Sequence, residues 1–155
     1  MITAVDTNIL LDVLVESAPD ARSSGQALAE ARRAGSVVIS EPVFGEIAGR
    51  FPKHEDVTAF LADVGLRYSS SKPSALHAAG RAWREYNRSG PRRLMCRECG
   101  SMQKGRCDKC GSLIRIRQHI LADFIIGAHA FEQADRLLTR DRGFYATYFP
   151  ELSLA

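Results

Sequence analysis

Short, unbroken apolar runs alternate along this chain with longer stretches whose apolar positions recur every three or four residues. Ile2-Thr3-Ala4-Val5 is the first run and reads as a buried strand ending at Asp6. Thr7 and Asn8 follow as helix-cap candidates, and an apolar helical stretch occupies residues 9–15. Pro19-Asp20 opens a second helix with Ala27, Leu28, Ala31 and Ala34 on one stripe, stopped by Gly35. Val37-Val38-Ile39 is the next strand. Pro42 fits the first turn of a helix carrying Val43, Phe44, Glu46 and Ile47.

The alternation continues. A helix is expected over residues 56–64, a strand over 66–68, and a long helix from Pro73 that carries Leu76, Ala79, Trp83 and Tyr86. That helix should fail at Ser89-Gly90-Pro91. Residues 118–133 read as helix, 136–139 as strand, 144–149 as a short helix and 152–154 as an edge strand. Strands separated by helical segments indicate βαβ units, hence an α/β domain with a mostly parallel central sheet flanked by helices.

At 155 residues the chain fits one domain with a small appendage. No run of about 18 apolar residues suggests a membrane span. A first strand starting at Ile2 leaves no room for a signal peptide, so a cytoplasmic location is expected. The net charge of +3 is unevenly spread. Residues 92–117 hold eight basic side chains (Arg92, Arg93, Arg97, Lys104, Arg106, Lys109, Arg115, Arg117) against Glu98 and Asp108, so the remainder is net acidic. A compact basic module on an acidic body suits a polyanion such as RNA, and equally a solvated loop.

That basic segment also contains all four cysteines, as Cys96-x-x-Cys99 and Cys107-x-x-Cys110, each pair followed by glycine. Two such turns can offer four thiolates to one structural Zn²⁺, with no position left open for catalysis. A segment so polar would need the metal to fold. Having no aromatic residue to stack on bases, it would contact RNA backbone or protein.

Four carboxylates, Asp6, Glu46, Asp123 and Asp141, fall where apolar elements meet polar residues. Strand ends of a parallel sheet share one edge, so such residues can meet there despite their separation in sequence. Carboxylate oxygens without matching histidines suit Mg²⁺ or Mn²⁺. Each has an ordinary reading too: a turn residue for Asp6 and Asp141, an exposed helix acid for Glu46. Asp123 lies in Leu121-Ala122-Asp123-Phe124-Ile125-Ile126-Gly127-Ala128, a stretch suited to burial, where a carboxylate needs a partner. Gly127, one turn on, is expected to clear space beside it. Without metal, mutual repulsion should raise at least one of the four pKa values.

Taken together, Val5-Asp6-Thr7-Asn8-Ile9-Leu10, Glu46, Ala122 to Ala130 (ADFIIGAHA), and Leu138-Thr139-Arg140-Asp141-Arg142-Gly143-Phe144-Tyr145 resemble the PIN-domain ribonucleases, in particular the VapC toxins of toxin–antitoxin pairs. The resemblance implies a three-layer PIN domain over residues 1–155. It implies a metal-binding quartet of Asp6, Glu46, Asp123 and Asp141, supported by Thr7, Asn8 and Thr139. Arg140 and Arg142, with Arg92, Arg93, Arg97, Lys104, Arg106 and Lys109 of the basic segment, are candidate RNA contacts. The implied activity is Mg²⁺- or Mn²⁺-dependent endoribonuclease action on RNA. The implied partners are an antitoxin, operator DNA bound through it, and a second copy in a homodimer. The departure from the family is the four-cysteine zinc ribbon inserted at 92–117. A PIN endonuclease of ribosomal or other RNA processing, or a non-catalytic RNA- or ribosome-binding module, are the competing functions.

Overall fold

The computed structural model describes residues 1–15, 17–88, 94–96, 98–103, 105–106, 109 and 119–155. Four short strands, β1 (Ile2–Val5), β2 (Ser36–Ile39), β3 (Leu66–Tyr68) and, near the other end of the chain, Arg136–Leu138, form one parallel sheet. Thr3, Ala4 and Val5 are buried, as are Val37, Val38 and Ile39. Near-continuous apolar character of this kind belongs to strands covered on both faces.

Helices make every crossover. α1 (Thr7–Leu14) and α2 (Ala21–Ala34) link β1 to β2; α3 (Glu41–Ala48) and α4 (His54–Asp63) link β2 to β3. α5 (Pro73–Arg88) leads into the cysteine segment, where β4 (Leu94–Met95) pairs antiparallel with β5 (Met102–Gln103). The chain returns through α6 (Leu121–Gln133) to β6, the Arg136–Leu138 strand, and then α7 (Arg142–Tyr148). The sheet order is β3-β2-β1-β6, so the chain reverses its direction of travel across the sheet between β1 and β6. The crevice at such a reversal is where open parallel sheets bind ligands.

Local chemistry explains the boundaries. Gly35 ends α2 where a Cβ would stand 2.0 Å from the Met1 carbonyl oxygen. Pro42 lies in the first turn of α3, where a missing N–H costs nothing. The expected 152–154 strand is reduced to one parallel bridge, Leu137 with Leu154, supported by Ala155 N–H donating to the Leu137 carbonyl at 2.9 Å.

Three local expectations are corrected. Asp6, not Thr7 or Asn8, is the residue before the first turn of α1, and its side chain makes no cap bond. α6 starts at Leu121, leaving His119 and Ile120 outside it. α7, expected over 144–149, runs over Arg142–Tyr148. The breaker at 89–91, Gln118, and most of the 92–117 module lie outside the described residues.

Candidate active site

Asp6 leaves the end of β1 with 6% of its surface exposed. The parallel register pairs Val5 with Leu138, which brings Thr139 alongside. Thr139 Oγ1 donates to Asp6 Oδ2 at 2.6 Å, and Asn8 Nδ2 donates to the same oxygen at 2.6 Å. Asn8 also accepts the Arg140 N–H on its own Oδ1 at 3.2 Å, tying the start of α1 to the loop after β6. Asp141 N–H donates to Thr139 Oγ1 at 3.0 Å, so one hydroxyl orients the Asp6 carboxylate and holds the Asp141 backbone. Asn8 and Thr139 thus both hydrogen-bond the Asp6 carboxylate.

The remaining acids approach from other elements. Glu46 is exposed on α3 but reaches back to accept the Thr7 hydroxyl proton. Asp123 sits on the first turn of α6, with Oδ2 accepting the Ile120 N–H at 2.8 Å. Its side chain is 31% exposed, so the expectation of deep burial fails. A polar group at a helix start can face the crevice while Phe124, Ile126 and Ala128 take the core. Gly127 does not clear space for it either. A Cβ there would lie 2.4 Å from the Phe149 ring, so the gap is filled by that aromatic side chain.

The charges register on one another. Burial, offset in part by the Thr139 bond and reinforced by Asp123 and Asp141, pushes the Asp6 carboxyl up to about 6. Tyr145, one turn along α7 from Asp141, is buried, and its hydroxyl is pushed well above its ordinary value by burial first and then by Asp6, Asp123 and Asp141. Three of the four acids therefore share one field, and Glu46 joins through Thr7. Among the described residues, no three His, Cys, Asp or Glu side chains already close around a common point as a metal cage. Carboxylate oxygens gathered around an acid that resists ionising are nonetheless what a hard divalent cation would relieve.

His119 was not singled out from the sequence. It is 4% exposed and stacks on Phe144 with ring centroids 4.0 Å apart. Its Nδ1 lies 3.6 Å from Asp123 Oδ2 and 3.9 Å from Asp141 Oδ2. Nothing in local sequence marks it, because it precedes α6 and reaches Asp141 only through the fold.

Arg140 is held by Asp20 and by Asp12, the latter at 2.8 Å from Nη2, while Ser24 Oγ donates to Asp12 at 2.6 Å. Arg142 Nη2 donates to the Leu154 carbonyl at 3.4 Å. Of the cysteine module, Cys96 and Cys99 are described and neither is in a disulfide. Gly100 N–H donates to the Cys96 carbonyl at 2.9 Å, and Gly100 takes φ +71°, which glycine alone adopts freely. Cys107, Cys110, Arg92, Arg93, Arg97 and Lys104 lie outside the described residues. No helix of the described residues is long and apolar enough to cross a membrane.

No protein-family model and no curated protein matches this sequence. Solved structures do. A chain of VapBC2 from Rickettsia felis, determined bound to a DNA fragment from its promoter, is 20% identical with a TM-score of 0.57, over 100% of this chain and 98% of that one. A chain of VapBC-1 from nontypeable Haemophilus influenzae is 16% identical with a TM-score of 0.61, over 100% and 97%. At such identities what is shared is architecture, end to end: a four-stranded parallel sheet flanked by helices, which is a PIN-like fold.

Proposed function

We propose that this protein is a VapC-like endoribonuclease that hydrolyses RNA phosphodiesters with Mg²⁺ or Mn²⁺ held by Asp6, Glu46, Asp123 and Asp141. The observation that carries the reading is Asp6. It is a buried carboxylate at the sheet's reversal point, pushed up to about 6 within the field of Asp123 and Asp141.

When bound, the cation supplies Lewis acidity and a lowered pKa for water. The chain's own work is positional. Thr139 and Asn8 both donate to Oδ2 of Asp6, which fixes the carboxylate plane at the end of β1. Thr7 holds Glu46 toward the same space, and the Ile120 N–H holds Asp123. Water adds to phosphorus and the bond to one ribose oxygen breaks. Acids fixed beforehand need no reorganisation during that step.

The two similar structures are named as VapBC assemblies, one with promoter DNA. That supports an antitoxin partner here and DNA bound by the pair; coverage of the crevice by the antitoxin and a homodimer are proposed on the resemblance alone. Residues 92–117 are read as a zinc ribbon inserted in the PIN domain. The free Cys96 and Cys99 and the turn closed by Gly100 support Zn²⁺ held with Cys107 and Cys110. The ribbon's basic residues would contact RNA backbone.

The test is cleavage of total RNA with Mn²⁺. Asp6→Asn and Asp123→Asn are expected to lose cleavage by at least a hundredfold while keeping the native circular dichroism spectrum. Cleavage retained by both purified variants would remove the reading. Growth arrest on expression, relieved by a co-expressed small antitoxin, separates a toxin from an RNA-processing enzyme.

A further inference from the structure

We propose that His119 is a nitrogen ligand in this site, so that the cation sits in a mixed oxygen–nitrogen donor set selecting Mn²⁺ over Mg²⁺. The proposal rests on reading the acidic cluster as a cation site, and adds a neutral nitrogen that faces two of its acids.

Its position is fixed by packing. The ring lies nearly parallel to Phe144, at 18°, and edge-on to Tyr86 at 6.2 Å. The His119 backbone N–H also approaches the Tyr86 hydroxyl at 3.4 Å. Pinned in this way, the imidazole has one polar outlook: Nδ1 faces Asp123 and Asp141, whereas Nε2 is buried with no partner among the described residues. A histidine serving only as filler gains nothing over phenylalanine here, so the nitrogen turned to the two acids is what packing leaves unexplained.

A direct bond to the acids does not account for the arrangement. At 3.6 and 3.9 Å both Nδ1 to oxygen distances exceed a hydrogen bond. Asp123 Oδ2 already accepts from the Ile120 N–H. Two donors bound to one ion at roughly 2.0–2.2 Å stand about 3–4 Å apart, the spacing found between Nδ1 and each carboxylate. The two acids also come from different elements, α6 and the start of α7, so His119 marks a point where three segments converge. Ligation through Nδ1 puts the ring proton on Nε2.

Metal choice follows from the donor type. Mg²⁺ prefers oxygen and sheds its waters reluctantly, whereas an imidazole nitrogen favours ions later in the first-row series. Replacing one oxygen donor by nitrogen therefore disfavours Mg²⁺ relative to Mn²⁺.

The experiment is Mn²⁺ titration of the full chain by electron paramagnetic resonance, with echo modulation reporting nitrogen bound to the ion. The wild type is expected to bind Mn²⁺ with an imidazole nitrogen modulation. His119→Phe, which keeps the stack on Phe144, should lose the modulation and bind Mn²⁺ about tenfold more weakly, with Mg²⁺ affinity changed less than threefold by competition. His119→Gln provides a second variant with the same expected loss if the phenylalanine form does not fold. Mn²⁺ bound by the wild type without nitrogen modulation, or equal weakening of both metals, overturns the proposal and leaves the acidic site standing. A wild type that binds no Mn²⁺ and behaves like Asp6→Asn overturns both.

Discussion

Substituting Asp6 by asparagine should make the metal-free protein more stable while making it inactive. The carboxyl is pushed up from 3.8 to about 6, chiefly by burial, so the folded state holds the proton more tightly than the unfolded chain. Below pH 4 both states are protonated and the group contributes nothing. Between about pH 4 and 6 the unfolded state releases its proton first, and stability falls as pH rises. Above about pH 6 the whole difference is lost, about 3 kcal/mol at 1.36 kcal/mol per unit. Asparagine keeps an oxygen to accept from Thr139 and Asn8 and carries no charge to desolvate. In urea with EDTA at pH 8, Asp6→Asn is therefore expected to unfold at about 1 M or more above the wild type, from that energy and a typical slope. The gap should close toward pH 4, and Mn²⁺ should narrow it by stabilising only the wild type. An asparagine variant less stable than wild type at pH 8, or a difference unchanged between pH 4 and 8, would refute the assignment of strain to this carboxylate.

Other sites give sharper structural tests. His129 is buried, its Nδ1 3.2 Å from Ser71 Oγ, whose proton goes to Glu41 at 2.7 Å, and Nε2 has no partner among the described residues. Burial holds its pKa below the ordinary 6.5, the Glu41 charge opposing this, so stability should fall as pH drops below 6.5. His129→Leu should flatten that limb in a thermal-melt pH series. Gly127→Ala forces a methyl against Phe149 and should cost about 1–3 kcal/mol, partly recovered by adding Phe149→Leu in a denaturation cycle. Arg140→Ala strands the buried Asp12 and should cost about 2–3 kcal/mol by urea unfolding, with Asp12→Asn restoring part of it.

The sheet was legible because its strands are buried on both faces and read as runs such as Val37-Val38-Ile39. Helix edges were less so: residues 118–120 look helical by composition, yet the chain stays extended at Ile120 before α6 begins. The acids around Asp6 were named from sequence because strand ends in a parallel sheet share an edge, whereas the supporting roles of Thr7, Asn8 and Thr139 came only with the resemblance to the PIN-domain ribonucleases. The environments of the acids were not legible. Apolar neighbours of Asp123 suggested burial, but a helix start lets one side chain face out while Phe124, Ile126 and Ala128 turn in. The space at Gly127 belongs to Phe149, twenty-two positions away, and no local pattern announces that. His119 was invisible for the same reason, since its meaning comes from Asp141 and Phe144 across the fold.

The register between β1 and β6 also sets a schedule. Thr3 aligns with Arg136 and Val5 with Leu138, so the first strand waits for a neighbour more than 130 residues downstream. Domains take shape during synthesis as the chain emerges at about 5–20 residues per second, and pairings this remote form late. Until residues 136–141 emerge from the ribosome, Asp6 lacks the Thr139 hydroxyl that orients it and the Asp141 charge beside it. A chain stalled or cut short in translation would hold half a crevice and no assembled acid cluster. For a protein whose proposed substrate is RNA, that order of events keeps the unfinished product inert while it is still attached to the machinery it could damage.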